Sequence, residues 1–287
     1  MPEPAPRPER AAVGPEAAGE APRTAAELDV ARWRPGALTR ERDLVAEELP
    51  VGLFYHGVPH GVMLATPADL EDFGVGFTLS EGLVEDAREI HDVEVVFAEQ
   101  SAEVRISVAW ERFSALLEQR RRLTGRTGCG LCGVETVEQA IRPVKPVGRG
   151  PAVTTGELHS AIAALARRQS LNALTGSVHA AAWVVPGHGI EIVREDVGRH
   201  NALDKLIGAR VRSGADFRDG FLLLTSRASF EMIQKSAAVG IAFLAALSAP
   251  TALAVRVAEH AGMTLVAFAR ESQHVVYAHE ERLTDGS

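Results

Sequence analysis

The second half of the chain alternates apolar runs with helical patterns, and this alternation restricts the fold more than any other feature. Residues 178–185 and 221–225 are apolar almost throughout. Such runs are typical of strands that are buried on both faces of a sheet. The helical patterns between them would cover those faces, an arrangement that defines the α/β class. The sequence therefore predicts an α/β layer.

The predicted elements of this half are as follows, in chain order. We expect helices at 157–172, 201–212 and 229–247, and a short helix that ends near 261. We expect strands at 178–185, 190–193, 221–225, 252–255 and 264–269.

The first half reads as a smaller α+β region. We expect strands at 51–55, 62–65, 93–97 and 104–108, a helix that ends near 80 and a second helix at 113–122. Residues 1–36 hold seven of the 15 prolines and show no apolar periodicity, so they are predicted to be a disordered tail. The expected organisation is therefore a tail at 1–36, an α+β region at 37–145 and an α/β domain at 146–287.

Composition excludes several classes of function. The 287 residues are 46% hydrophobic, which is enough for a globular core. A net charge of −8 argues against broad binding of nucleic acid. No apolar run reaches the length that spans a membrane, and the first residues lack the pattern of a signal peptide. We therefore expect a cytoplasmic protein without nucleic-acid or membrane partners.

The two cysteines of the chain lie in one glycine-rich stretch at 127–133. Cys129 and Cys132 are separated by two residues, and glycines widen the backbone angles available around them. The glycine-free segment that follows, residues 134–141, is predicted to be a short helix. A thiol just before a helix N-terminus is biased toward the thiolate, the form that attacks and carries sulfur. Four arginines precede the pair, at Arg120 to Arg122 and at Arg126.

Other interpretations of the cysteine pair stay open at this level. Two cysteines separated by two residues supply half of a zinc site, which only a dimer or distant histidines would complete. A thioredoxin-like redox pair has the same spacing. A buried structural pair is a third alternative, although a glycine-rich loop is a poor place for burial.

Two further segments carry more polar residues than their positions require. Residues 194–205 and 225–231 each begin directly after a predicted strand, and sites in α/β sheets gather at the carboxyl ends of strands. Hydroxyls and free helix amides after the second strand would suit a phosphate, with Arg227 and Lys235 adding positive charge. Neither segment is a standard nucleotide-binding motif. Whether the two segments meet in space is left open.

Four motifs together resemble the FdhD family of sulfur carriers, which formate dehydrogenase requires. They read GCGLCG at 128–133, EDVGRHNALDK at 195–205, TSRASFEMIQK at 225–235 and SAPT at 248–251. The resemblance implies a cytidine deaminase-like fold for the α/β domain and a homodimer. The deaminase signature is missing here, so zinc and deamination are not carried over.

The resemblance also implies the activity and the site. It implies a sulfurtransferase that takes persulfide sulfur from a cysteine desulfurase and delivers it to the molybdenum cofactor, bis-molybdopterin guanine dinucleotide, for formate dehydrogenase. Cys129 matches the cysteine that carries the persulfide, and Cys132 matches its partner. The family's guanine-dinucleotide contact matches six consecutive residues, namely Phe268, Ala269, Arg270, Glu271, Ser272 and Gln273. Arg227, Lys235 and Arg270 are expected to hold the pyrophosphates.

Overall fold

A computed structural model of the chain describes residues 21–124 and 144–285. Its α-helices are α1 (Leu70–Ser80), α2 (Trp110–Thr124), α3 (Thr155–Leu165), α4 (Ser170–Thr175), α5 (Arg199–Arg212), α6 (Phe230–Ala238) and α7 (Ala252–Ala261). The strands of the first half are β1 (Ala25–Arg34), β2 (Ala37–Ala46), β3 (Leu49–Tyr55), β4 (Val58–Ala65), β5 (Ile90–Phe97) and β6 (Ala102–Val108). The remaining strands are β7 (Val153–Thr154), β8 (His179–Val185), β9 (Gly189–Asp196), β10 (Phe221–Leu224), β11 (Phe243–Ala246), β12 (Thr264–Ala267), β13 (Val275–Ala278) and β14 (Leu283–Thr284).

A mixed six-stranded sheet forms the centre of the molecule, in the order β13-β12-β11-β10-β8-β9. Three adjacent strands, β10, β11 and β12, are parallel, and β8, β9 and β13 run antiparallel to their neighbours. Because β8 opposes β10, the beginning of β8 and the end of β9 lie at the same edge as the carboxyl ends of the parallel strands. We call this the carboxyl edge.

Helices cover both faces of this sheet. Leu158, Ile162 and Leu165 of α3 pack on the face that presents Phe221 and Leu223. The opposite face packs against α5, α6 and α7 through a larger apolar cluster. The helix α3 begins where it does because Thr154 and Glu157 cap each other: the Thr154 hydroxyl accepts from the Glu157 amide, and the Glu157 carboxylate accepts from the Thr154 amide.

A four-stranded sheet in the order β4-β3-β6-β5 lies on the side of the large sheet that α5, α6 and α7 cover. The helix α1 lies between this smaller sheet and α5. The helices α1 and α5 cross so closely that their backbones touch. A methyl group added at Gly76 would lie 1.7 Å from the Asp204 carbonyl oxygen, and one added at Gly208 would lie 1.8 Å from the Asp72 carbonyl oxygen. Only glycine fits at these two positions. One continuous apolar cluster therefore contains residues of both predicted regions.

Most predicted elements are confirmed, and an α/β architecture is what the structure shows. The cytidine deaminase-like classification stays a prediction. Two assignments near the middle of the second half are wrong. The helix predicted at 229–247 ends at Ala238, because Gly240 adopts a left-handed conformation at φ 80°, and residues 243–246 form β11. The strand predicted at 252–255 is the first turn of α7, which the Thr251 hydroxyl caps.

The tail predicted at 1–36 is also wrong for its last part. Residues 25–34 form β1, which pairs along its whole length with β2 in a separate antiparallel hairpin. Residues 1–20 lie outside the described part of the chain. The helix predicted at 157–172 is interrupted by a 3₁₀ turn at Ala166–Arg168. Among the described residues, no helix is long and apolar enough to cross a bilayer.

Candidate functional site

Three loops that follow the parallel strands meet at the carboxyl edge. The loop after β10 pairs with the loop after β11, because Ala228 N donates to Ala249 O at 3.2 Å and Thr251 N donates to Ala228 O at 3.1 Å. The loop after β12 joins them through Phe268 N, which donates to Ser248 O at 3.2 Å. Segments that are far apart in sequence are therefore neighbours at this edge, the usual location of sites in α/β sheets.

The two polar segments of the sequence meet there. His200 Nε2 lies 2.6 Å from Glu231 Oε2, and Arg199 Nη2 lies 3.9 Å from the same oxygen. Deeper in the molecule, Lys235 Nζ lies 2.9 Å from the Asp204 carboxylate. The structure thus answers the question that the sequence left open: residues 194–205 and 225–235 line one region.

The N-termini of α5 and α6 both lie at this edge without side-chain caps. Gly198 precedes α5 and has no side chain, and the hydroxyl of Ser229, which precedes α6, accepts no bond from the helix. Within the described residues, Ser229 Oγ and Arg199 Nε are buried polar atoms without a hydrogen-bond partner. Free amides at a helix N-terminus, with unsatisfied donors beside them, favour an anion.

A buried carboxylate fixes the turn that carries Arg199 and His200. Asp196 lies 2.6 Å from Lys205 Nζ and accepts from the amides of Thr66 and Gly198 and from the side chain of Asn201. Neither Asp196 nor Lys205 is exposed to solvent. Because all partners of the carboxylate are held by packed elements, the turn at the start of α5 has a defined conformation.

A second histidine, His179, stands opposite this turn at the beginning of β8, paired in register with Asp196. Partial burial, and then the positive charge of Arg199, lower the pKa of His179. The ring is therefore neutral near pH 7. The sequence analysis missed His179, because a histidine at the start of a strand carries no signal until the direction of β8 is known.

Lys235 does not lie where the sequence analysis expected it. Its ammonium group contacts the Asp204 carboxylate, the Ser80 hydroxyl at 3.0 Å and the Glu81 carboxylate at 2.8 Å. Its side chain is 8% exposed. The charge of Lys235 is thus balanced in the interior, where it links α6 to α5 and to the end of α1, and its ammonium group does not lie with Arg227 at the carboxyl edge.

Arg227 and Arg270 do lie at the edge. Arg227 is exposed, and no carboxylate among the described residues pairs with it. The guanidinium of Arg270 donates to the carbonyls of Leu247 and Ala269, which leaves the side chain bound to the loop after β11. Arg227 is therefore the freer of the two cations for a ligand.

The predicted contact segment from Phe268 onward forms a tight loop after β12. Phe268 has φ 48°, a conformation that is unfavourable for a bulky side chain, and the residue is 42% exposed. Ala269 is buried, whereas Glu271, Ser272 and Gln273 are exposed. Arg270 N donates to Gln273 O at 2.7 Å and closes the loop. Strained residues with exposed rings often mark functional loops.

The cysteine site lies outside the described residues. Cys129, Cys132 and Arg126 fall in the segment 125–143, and the side chains of Arg120 to Arg122 are likewise not described. Residues 21–124 and 144–285 contain no group of three or more histidine, cysteine or acidic residues that could hold a metal ion.

Comparisons with known proteins agree on one family. The model of the FdhD/NarQ family matches residues 46–284. A protein of Cupriavidus necator named "Sulfur carrier protein FdhD" is 53% identical over 272 residues, which cover 94% of each chain. A protein of the same name from Xanthomonas euvesicatoria is 48% identical over 257 residues, 90% of this chain and 92% of the other.

A solved structure shares the fold. It is described as "Crystal structure of a putative formate dehydrogenase accessory protein from Desulfotalea psychrophila" and superposes with a TM-score of 0.71. The match covers 91% of this chain and 100% of the other at 24% sequence identity.

Proposed function

This chain belongs to the FdhD/NarQ family, and from that premise we propose that it is a sulfur carrier for the maturation of formate dehydrogenase. In this proposal Cys129 accepts persulfide sulfur from a cysteine desulfurase. The protein then acts as a sulfurtransferase and passes the sulfur to the molybdenum cofactor, bis-molybdopterin guanine dinucleotide, which is its cargo. The reaction belongs in the reducing cytoplasm, where both thiols persist.

The chemistry at Cys129 is a thiol exchange. The Cys129 thiolate attacks the terminal sulfur of the donor persulfide, a new S–S bond forms, and the donor S–S bond breaks with the donor cysteine leaving as a thiolate. Cys132 has two candidate roles. It either attacks the inner sulfur of the Cys129 persulfide, which expels the outer sulfur as hydrosulfide and leaves a disulfide for a thiol reductant, or it positions the persulfide.

The carboxyl edge is the proposed place for the cargo. The observation that supports it best is the meeting of two uncapped helix N-termini beside Arg199 Nε and Ser229 Oγ, which have no partner among the described residues. Each guanine-dinucleotide arm of the cofactor carries a pyrophosphate, and anions of this kind suit free amides and guanidinium groups. Arg227 and Arg199 are the side chains best placed to bind them. The exposed ring of Phe268 offers an apolar surface to the guanine.

Mass spectrometry tests the sulfur step. We expect the full chain, after incubation with an active cysteine desulfurase and cysteine, to gain one sulfur atom on the peptide that contains Cys129. Cys132→Ala should retain this adduct, and Cys129→Ala should lose it. A thioredoxin-like oxidoreductase would instead need both cysteines and would cycle between dithiol and disulfide. The absence of any adduct with an active donor would contradict the proposal.

A further inference from the structure

A carboxylate lies between the two uncapped helix N-termini of the carboxyl edge. Glu231 is the second residue of α6, and His200 is the second residue of α5. Glu231 Oε2 lies 2.6 Å from His200 Nε2 and 3.9 Å from Arg199 Nη2. A negative charge of the chain itself therefore joins the first turns of two helices, at the place where helix N-termini attract anions.

This contact is the one ion pair of the two basic side chains in the described part of the chain. Neither Arg199 nor His200 pairs there with any acid other than Glu231. The groups that the edge offers to an anion are thus partly engaged by Glu231 in the free protein.

Two neighbouring carboxylates show what a permanent contact looks like in this molecule. Glu195 accepts from the amides of Leu171 and Asn172 at 2.9 and 2.8 Å, so its two oxygens satisfy the start of α4. Asp196 lies 2.6 Å from Lys205, and neither side chain is exposed to solvent. Both carboxylates are fixed parts of the fold.

Glu231 is held much less firmly. Within the described residues its carboxylate forms a hydrogen bond with His200 alone, and its side chain is 56% exposed. An exposed ion pair contributes little net stability, because water solvates both charges when they separate. The contact between Glu231 and His200 can therefore be exchanged for a contact with another anion.

The donors around Glu231 also exceed what one carboxylate uses. Arg199 Nε and Ser229 Oγ are buried without a partner among the described residues, and neither helix N-terminus has a side-chain cap. A pyrophosphate has more acceptor oxygens and more negative charge than a carboxylate. A ligand of that kind can satisfy groups that Glu231 leaves without a partner.

We infer that Glu231 is an internal anion, which occupies part of the phosphate-binding surface in the free protein and is displaced when a phosphate-bearing ligand binds. The inference rests on the proposed function, because it takes the pyrophosphates of the cargo as ligands of this edge. Displacement of Glu231 frees His200 and Arg199 for the ligand. The return of Glu231 favours release, which a carrier needs as much as binding. Glu231 thus sets the affinity of the edge without contacting the ligand.

The sign of one substitution separates this role from a supporting one. Glu231→Gln keeps the size of the side chain and removes its charge, so the competition with phosphate is lost. We expect the dissociation constant for GDP, the probe for one arm of the cofactor, to fall about threefold to tenfold. If Glu231 instead held His200 and Arg199 in position for the ligand, the same substitution would raise this constant. Titration calorimetry of the full chain measures it.

Glu191→Gln is the matched control. Glu191 also pairs with an arginine, Arg210, at 2.6 Å, and its side chain is 40% exposed. It lies near the beginning of β9, at the opposite end of that strand from the carboxyl edge. We expect Glu191→Gln to leave the dissociation constant for GDP unchanged. Circular dichroism checks that both variants keep the fold.

Crystal structures of the wild-type chain with and without GDP test the displacement directly. Without GDP, Glu231 should contact His200. With GDP, this contact should be broken, and a phosphate oxygen should lie within hydrogen-bond distance of His200 or Arg199. A GDP complex in which Glu231 still contacts His200 would overturn the inference.

The binding data distinguish failure of the inference from failure of the proposed function. A Glu231→Gln variant that binds GDP no more tightly than the wild type overturns the role of Glu231 and leaves the cargo site in place. Binding that appears only in the variant supports the inference. Absence of GDP binding in both proteins contradicts the cargo site and overturns the inference with it. The sulfur adduct on Cys129 is measured independently of all three outcomes.

Discussion

The crossing of α1 and α5 and the carboxyl edge of the large sheet are built on opposite principles. At the crossing, two glycines allow backbone contact, and the buried charge of Asp204 is balanced by Lys235. At the edge, two helix N-termini lack caps, Arg227 is exposed, and Phe268 is strained. Packing stabilises the molecule at the crossing, and unsatisfied donors are retained at the edge, where a ligand can use them.

The largest expected effect on stability comes from adding a methyl group at the crossing. Gly76→Ala places a methyl group against the Asp204 carbonyl, and neither backbone can yield without moving a whole helix. We expect the free energy of unfolding to fall by about 4 kcal/mol or more. Urea denaturation measures it. Gly148→Ala is the control, since a methyl group there has no neighbour within 4 Å. Equal stability of the two variants would contradict close contact of the helices.

Breaking the buried ion pair should have the next largest effect. Lys235→Met leaves the fully buried Asp204 carboxylate without its cation, which we expect to cost about 3 kcal/mol in the free energy of unfolding. Adding Asp204→Asn should recover part of this loss. As a control, Arg218→Met removes an exposed partner of Asp216, and it should lower the free energy of unfolding far less than Lys235→Met does. A similar loss in both variants would show that burial does not decide the effect.

At the carboxyl edge we expect the reverse pattern, with small effects on stability and larger effects on binding. Arg227→Gln should change the free energy of unfolding by less than about 0.5 kcal/mol. The dissociation constant for GDP, used as a probe for one arm of the cofactor, should rise about fivefold to tenfold. Scanning calorimetry measures the free energy of unfolding, and titration calorimetry measures the dissociation constant for GDP. Arg167 is exposed in the 3₁₀ turn that follows α3, and Arg167→Gln should leave GDP binding unchanged. Equal losses of GDP binding in the two variants would indicate nonspecific attraction.

The smallest expected effect concerns the pH dependence of stability. Because the pKa of His179 is lowered in the folded state, protonation favours the unfolded state. The free energy of unfolding should therefore decrease as the pH falls below the ordinary value of histidine, about 6.5, and level off below the lower folded value. Glu157, whose pKa is also lowered, titrates below this range.

The comparison for this prediction is between two histidine variants. From pH 7.5 to pH 5.5, His179→Gln should lose less stability than the wild type. His188→Gln, in the turn between β8 and β9, should behave like the wild type. A loss in His179→Gln as large as that of the wild type would show that His179 does not contribute.

Local patterns predicted the elements well where apolar runs and turns are short. The strand β8 and the helix α1 follow directly from their sequences. The strand β11 was missed because its residues, Phe243 to Ala246, continue the apolar pattern of α6, and the signal that separates them is the single residue Gly240. The hairpin was missed because a proline-rich composition was averaged over 36 residues, although Pro35 and Gly36 mark its turn.

The candidate site was predictable in part. Strand ends identified the segments at 194–205 and 225–231, and the segments meet because β9 and β10 run in the same direction on either side of β8. The orientation of Lys235 was not predictable, because the carboxylates of Asp204 and Glu81 that attract it come from α5 and the end of α1. A helical pattern shows which face is apolar, but it does not show which distant helix covers that face.

The glycines at the crossing also limit which parts of the molecule can move relative to each other. Two helices whose backbones touch cannot slide by a fraction of a turn without a collision of carbonyl groups, because no layer of side chains is present to rearrange. The four-stranded and six-stranded sheets therefore move as one rigid unit. The segments attached to that unit are therefore the parts of the molecule that can be displaced without breaking this contact.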